Sequence, residues 1–368
     1  MSSTPSPLHR LSALGQSVWI DSLSREWIRG PHLQQLIDDD AVVGATSNPT
    51  IFQKAMSAGD AYDEQLRELG TANAEEVFWE LAEQDIREAC DVFRPTWEEG
   101  LGRDGYVSIE VDPRLAYDSL RTFREAMRLH KAVDRPNLLV KIPATKPGLA
   151  AIEDVISKGH SINITLIFSL KRYAEVAESY IRGLERLIAE GGDPRKVHSV
   201  ASFFVSRIDT EADRRLDESG AHDALKGRLA VANAKLAYRH YQHTFQGPRW
   251  EYLAGKGATP QRVLWASTST KNPSYPDTIY VDELIGPDTI NTMPEETVRA
   301  FQDHGSPRPT LQEGLAEAQV VFDDLAAAGV DYDDVTDTLE REGVEKFEAS
   351  FSELLDSLSA KMGALAPA

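Results

Sequence analysis

The chain reads as an α/β protein in which eight parallel strands close into a (β/α)8 TIM barrel with additional helices, including a C-terminal helical extension. Three observations predict this. Short apolar runs of strand length alternate with helical patterns along the 368 residues, as expected for a parallel sheet. Eight such units favour a closed barrel over a doubly wound sheet. Most runs also deliver a polar residue at or near their carboxyl ends, where barrel enzymes build their sites.

Taken in order, Met1–Gly15 has no apolar stretch of signal-peptide type and reads as a short disordered lead. Residues 16–368 read as one domain. Ser17–Asp21 is the first strand, followed by a helical stretch over Ser24–Asp38, and Ala41–Ala45 is the second. A long, mostly helical segment covers Thr50–Glu99. Val107–Val111 is the third strand, with a helix at Arg114–Val133. Leu138–Pro143 is the fourth, with a helix at Gly148–Ser157. Ile162–Phe168 is the fifth, followed by a helix from Ser169 to Glu190. Val197–Ser202 is the sixth, with helices to about Gln246. Arg262–Ser267 is the seventh, and Thr289–Thr292 a short, weak eighth. Thr310–Leu358 reads as helical throughout. There Val344, Phe347, Phe351, Leu354 and Leu358 form an apolar stripe, and acidic Asp331–Glu345 supplies the polar face.

Strand parity separates the two faces of the barrel. In Val107-Ser108-Ile109-Glu110-Val111 the apolar residues share one parity, and Ser108 and Glu110 the other. Asn163 and Thr165 alternate in the same way with Ile162, Ile164 and Leu166. Asp21 sits opposite Val18 and Ile20, and Lys141 opposite Leu138 and Val140. Asn48 continues the inward parity of Gly44 and Thr46, while Ser202 and Ser267 lie at the ends of strands six and seven. Each buried polar group costs a few kcal/mol (roughly) unless paired or used, so seven strands aiming polar groups at one end point to a site.

Lys141, in Asn137-Leu138-Leu139-Val140-Lys141-Ile142-Pro143-Ala144-Thr145, is the centre of that site. Burial favours its neutral amine, which can form a Schiff base with a carbonyl substrate. The alternatives are a lysine that snorkels to the surface or pairs with a buried carboxylate. Around it the strands place Asp21, Glu110, Asn48, Asn163 and Thr165. One carboxylate could act on the hydroxyl of a departing aldehyde, the other, through a water, on imine formation. The iminium is itself the electron sink, so no metal or other cofactor is required.

At these residues the chain resembles the transaldolases, class I aldolases of the pentose phosphate pathway. The matching segments are Gly44–Thr50, Val107–Asp112, Leu139–Thr145, Asn163–Ser169 and Ala201–Arg207, in family order over residues 16 to 305. The resemblance implies Lys141 as the Schiff-base lysine and Asp21 as the acid/base on the C4 hydroxyl. It implies Glu110 with Thr165 as the pair that positions the catalytic water. Asn48 and Asn163 would bind the dihydroxyacetone unit, Ser202 and Phe204 would line the site, and Arg207 would bind phosphate. The family's second phosphate arginine is replaced in Ala266-Ser267-Thr268-Ser269-Thr270-Lys271-Asn272, two residues longer. Ser267 fits the pattern, and Lys271 is the candidate second cation, without an arginine's bidentate fork. The longer loops and C-terminal helices are similar to those of the long bacterial branch. The implied reaction moves dihydroxyacetone from sedoheptulose 7-phosphate to glyceraldehyde 3-phosphate, giving erythrose 4-phosphate and fructose 6-phosphate. The rivals are an aldolase that cleaves fructose 6-phosphate without transfer, and a non-catalytic sugar-phosphate-binding barrel.

Composition narrows the partners. The net charge of −20, from 59 acidic and 39 basic residues, argues against nucleic-acid binding and against docking on anionic lipid. No apolar run is long enough to span a membrane. A single cysteine, Cys90, reads as a core thiol in a reducing, cytoplasmic setting. A monomer or homodimer is expected. Gly100–Gly105 mimics a dinucleotide-binding turn, but precedes a strand and follows a helix, so it reads as a loop. Asn163-Ile164-Thr165 is a glycosylation sequon inside a buried strand and is discounted. His240 and His243 read as a solvated helix face, and the arginine-rich stretch 114–135 as an amphipathic surface helix.

Overall fold

The computed structural model describes residues 5–57, 59–70, 73–220 and 223–365. Its strands are β1 (Gln16–Ile20), β2 (Val42–Ala45), β3 (Tyr106–Glu110), β4 (Leu138–Pro143), β5 (Ile162–Ile167), β6 (Ser199–Phe204), β7 (Arg262–Ala266) and β8 (Thr289–Met293). They pair in chain order, and β8 returns to β1, closing the barrel. Every pairing is parallel. The eight expected strands are all present, with ends shifted by up to two residues.

The lumen is packed because inward residues complement one another in size. Trp19 fills the space beside Gly44, where an added Cβ would meet the indole at 2.6 Å. Register then sets the site: Glu110 pairs with Lys141, and Lys141 with Asn163. Partners in register on parallel strands share a face, so these three polar side chains stand abreast. The register of β5 against β6 slips between Ile164 and Ile167. Leu166, inside that slip, holds a left-handed backbone (φ 59°), which costs a branched residue about 1 kcal/mol. Thr165 lies immediately before it.

Three expectations need correction. The lead is not disordered through residue 15. Pro7–Ala13 is a helix capped by Ser6, and its Leu8 and Leu11 are fully buried against the body of the chain. Residues 1–4 lie outside the described residues. The single helical region at 310–358 is two helices, Leu315–Ala327 and Tyr332–Leu365. Gly329, in a left-handed turn, breaks them. Finally, His240 is half-buried with its ring edge-on to Tyr173 at 5.6 Å, so only His243 belongs to a solvated face.

The helix Tyr332–Leu365 crosses the mouth of the barrel. Val344, Phe347, Phe351, Leu354 and Leu358 are all buried, as the apolar stripe predicts. Its acidic face binds neighbouring helices through Arg172–Glu340 and Arg215–Asp334. Thr50 Oγ1 donates to Ser350 Oγ (2.9 Å). Cys90 is buried and unpaired by any disulfide. No described helix is long and apolar enough to cross a membrane.

Candidate active site

Asp21 follows β1, and its N–H bonds to Met293 O (2.8 Å), tying it to β8. Thr46 follows β2 and donates from Oγ1 to Asp21 Oδ1 (2.6 Å). Asn48 caps the helix Pro49–Ser57: its Oδ1 accepts from Ile51 N (3.0 Å). That leaves the amide nitrogen as the group available to a ligand.

Lys141 projects inward from β4 and is buried. Its Nζ donates to Ser47 O (3.1 Å) and lies 3.6 Å from Glu110 Oε2. Ser47 is held in turn by its Oγ, which donates to Ser108 O (2.7 Å). The lysine therefore does not snorkel; it faces a carboxylate inside the barrel, the pairing named above as an alternative to a free amine. Both Glu110 oxygens are buried without a hydrogen-bond partner, and so is Thr165 Oγ1. Glu110 lies beside the amine and Thr165 on the wall of the cleft above it, and buried polar atoms left unmet like these call for a bound water or ligand group. Burial, partly offset by Lys141, pushes the Glu110 carboxyl up to about 7. Burial also raises Asp21, opposed first by Lys141 and then by Thr46, Lys271 and Arg207. Two acids of unequal surroundings flank one amine, the arrangement that separates acid and base roles.

The cleft above Lys141 encloses roughly 290 Å³, at the small end of ligand cavities. Asp21, Asn48, Lys141, Thr165, Ser202, Phe204, Arg207, Ser267 and Lys271 all line it. Two expected residues do not. Glu110 faces a smaller recess that it shares with Asn48 and Phe351. Asn163 is fully buried: its Nδ2 donates to Ser108 Oγ (3.0 Å) and its Oδ1 accepts from Ser202 Oγ (2.6 Å). Its amide is thus largely committed to the lumen, and its parity alone could not reveal that.

The cationic side is better furnished than expected. Arg207 lies over the Phe204 ring, 5.4 Å from its centroid. Lys271, despite the longer loop, reaches the same wall, where its Nζ donates to Ser269 Oγ (2.5 Å) and burial lowers its pKa. Ser267 holds a left-handed φ of 56° and shares a hydroxyl contact with Ser206 (2.9 Å). Lys54 also lines the cleft. It was missed, although Thr50, Ile51 and Lys54 share a face by helical spacing after Asn48. Thr292 and Phe347 were missed as well: the first lies on the weakest strand, and nothing in the second's apolar stripe says that it faces the mouth. Among the described residues, no cluster of side chains suits a metal ion.

Residues 18–358 match the family described as transaldolase/fructose-6-phosphate aldolase. A transaldolase of Saccharopolyspora erythraea is 54% identical over 358 residues, covering 96% of this chain and 97% of the relative. One from Acidothermus cellulolyticus is 55% identical over 353 residues, 95% of each chain. One from Mycobacterium ulcerans is 52% identical over an alignment of 372 positions that covers 100% of each chain. With the barrel closed and its lysine facing two acids, this chain belongs to the transaldolase/fructose-6-phosphate aldolase family.

Proposed function

We propose that the protein is a transaldolase that transfers a dihydroxyacetone unit between phosphorylated sugars through a Schiff base on Lys141. The observation that carries this reading is the placement of Lys141 Nζ, buried 3.6 Å from Glu110 and on the same cleft as Asp21. The names of the relatives favour transfer over cleavage.

The amine of Lys141 attacks the ketose carbonyl at C2, and the oxygen leaves as water, giving an iminium. Glu110, with Thr165 and a water between them, moves the protons of this step. Asp21 then takes the proton of the C4 hydroxyl. The C3–C4 bond breaks, its electron pair passes into the iminium, and an aldehyde departs. The three-carbon enamine stays on Lys141, held by Asn48 and the Ser202 side of the cleft. A second aldehyde enters, the enamine attacks its carbonyl carbon, and Asp21 returns the proton. Water finally hydrolyses the new imine, again under Glu110. Arg207 and Lys271 bind the phosphate end in each direction, with sedoheptulose 7-phosphate as donor and glyceraldehyde 3-phosphate as acceptor.

Borohydride added with fructose 6-phosphate tests the covalent step: the protein mass should rise by a reduced adduct located on Lys141. No adduct would leave the sugar-phosphate-binding barrel as the better reading. Comparing aldehyde exchange with release of free dihydroxyacetone separates transfer from cleavage.

A further inference from the structure

The proposed reaction assigns work to Asp21 but does not explain what holds its carboxyl ready. Thr46 Oγ1 lies 2.6 Å from Asp21 Oδ1 and 2.8 Å from Thr292 Oγ1. Thr46 is 2% exposed and so is Thr292. Thr292 is itself anchored: its carbonyl accepts from Thr268 Oγ1 (3.0 Å), and in register it pairs with Trp19 of β1. Three strand ends thus meet in one line of oxygens running Asp21, Thr46, Thr292.

A hydroxyl carries a single hydrogen, and this fixes the direction of the line. An ionised Asp21 only accepts, so Thr46 must give its hydrogen to Asp21. The contact between the threonines must then be made with the hydrogen of Thr292. Each hydrogen bond in such a chain polarises the next. We propose that Thr292 is a positioning residue for the acid/base step: through Thr46 it orients the Asp21 carboxylate and favours its ionised form. The inference rests on the transaldolase reading above and names a residue to which that reading gives no role.

Other charges also face Asp21: Lys141 from β4, Lys271 from the loop after β7, and Arg207 from the helix Ser206–Ser219. Glu110 on β3 is close enough to feel it. Lys54 and Glu296 lie on the walls of the same cleft. These act through the field. Thr292 acts through one hydroxyl, so its contribution is separable by removing that hydroxyl alone.

The test uses Thr292→Val, which keeps the shape and removes the hydroxyl, and Thr292→Ser, which keeps the hydroxyl. For Thr292→Val, kcat for aldehyde exchange should fall about tenfold, with a smaller change in KM. The acid limb of kcat should move up by roughly half a pH unit, because the ionised form loses support. Thr292→Ser should restore both. The rate of borohydride trapping on Lys141 should stay put, since imine formation is the work of Glu110. In a Thr46→Val background, adding Thr292→Val should change kcat no further, because its route is gone. An unshifted limb in Thr292→Val, or full additivity with Thr46→Val, would overturn the inference. Thr292→Ala is read by the same criteria should the valine variant not fold. A wild-type protein that neither traps substrate nor exchanges aldehydes would instead sink the underlying reading.

Discussion

The two ends of the barrel carry similar side chains and use them in opposite ways. At the floor, Arg262 at the start of β7 donates to Ser17 Oγ (3.0 Å), to Asp104 Oδ1 (2.9 Å) and to Arg103 O. Asp104 also accepts from Ser17 Oγ (2.8 Å) and Trp19 Nε1 (3.2 Å). The other floor arginines have carboxylates too: Arg103–Asp288, Arg135–Asp91 and Arg195–Asp193. Unmet buried polar atoms occur at both ends, Glu110 and Thr165 at the mouth and Trp97 Nε1 and His130 Nε2 at the floor, so the contrast lies in the cations. Among the described residues, Arg207, Lys271 and Lys54 have no carboxylate within ion-pair distance. Unpaired like charges around one cleft repel, and an anionic ligand relieves that repulsion. Size would mislead here. A cleft at the floor encloses roughly 710 Å³ against 290 Å³ at the mouth. What separates site from scaffold is positive charge left without a carboxylate, not volume.

The sharpest way to break this contrast is at Lys141. Lys141→Ala should lower aldehyde exchange by about 10⁴-fold or more and abolish borohydride trapping. Its thermal stability should change little, because Glu110, already pushed up to about 7, can take up a proton once the amine is gone. Retained exchange in this variant would move the nucleophile elsewhere.

Arg262→Met is the mirror experiment. It strands Asp104 in a largely buried site with only two neutral donors. Breaking a buried pair in this way costs about 3–5 kcal/mol, which thermal or urea unfolding would read. Below its melting point the variant should keep kcat within about twofold. A stable but inactive Arg262→Met would mean that the floor takes part in the chemistry.

Glu110 lets one titration be read at both levels. Its folded pKa is raised, so the folded chain keeps a proton that the unfolded chain has lost. Stability from this group is present below about pH 4.5, the ordinary glutamate value, and is lost as pH rises to about 7. Glu110→Gln should remove this loss, gaining up to about 3 kcal/mol on the wild type between pH 4.5 and 8. Imine formation needs the ionised acid and should rise over the same window in the wild type only. Parallel stability curves for the two proteins would show that Glu110 titrates normally, and that its unmet oxygens store nothing.

How much of this was legible beforehand follows from what one residue's neighbours can say. Alternation along β3 and β5 gave the side on which Glu110 meets Lys141 and Thr165 meets the cleft, because parity is a local property. The closed ring followed from eight local signals. Asn163 shows the limit: its inward parity was right, yet its amide is occupied by Ser108 and Ser202, a three-strand contact with no local trace. The buried helix at Pro7–Ala13 was hidden by its brevity, since Leu8 and Leu11 are too few to show a period. Phe347 was recognised as apolar and buried, but its position over the mouth depends on how the helix Tyr332–Leu365 crosses the barrel.

The smallest expected effect is at Arg207, and it bears most directly on the contrast. Held over Phe204 and, among the described residues, without a carboxylate, this guanidinium lines the cleft, and its fork is the group that a ligand could meet there. Such a fork matches a phosphate in geometry as well as charge. Arg207→Ala should raise KM for fructose 6-phosphate about tenfold and lower kcat less. Its effect on unphosphorylated fructose should be slight, since no anion is there to lose. Arg207→Lys should recover only part of the affinity, because a point charge lacks the fork. Arg135→Ala at the floor, where Asp91 already takes the charge, should leave both constants alone. If the two alanine variants raised KM equally, net positive charge alone would account for binding, and the distinction between spent and unspent cations would fail.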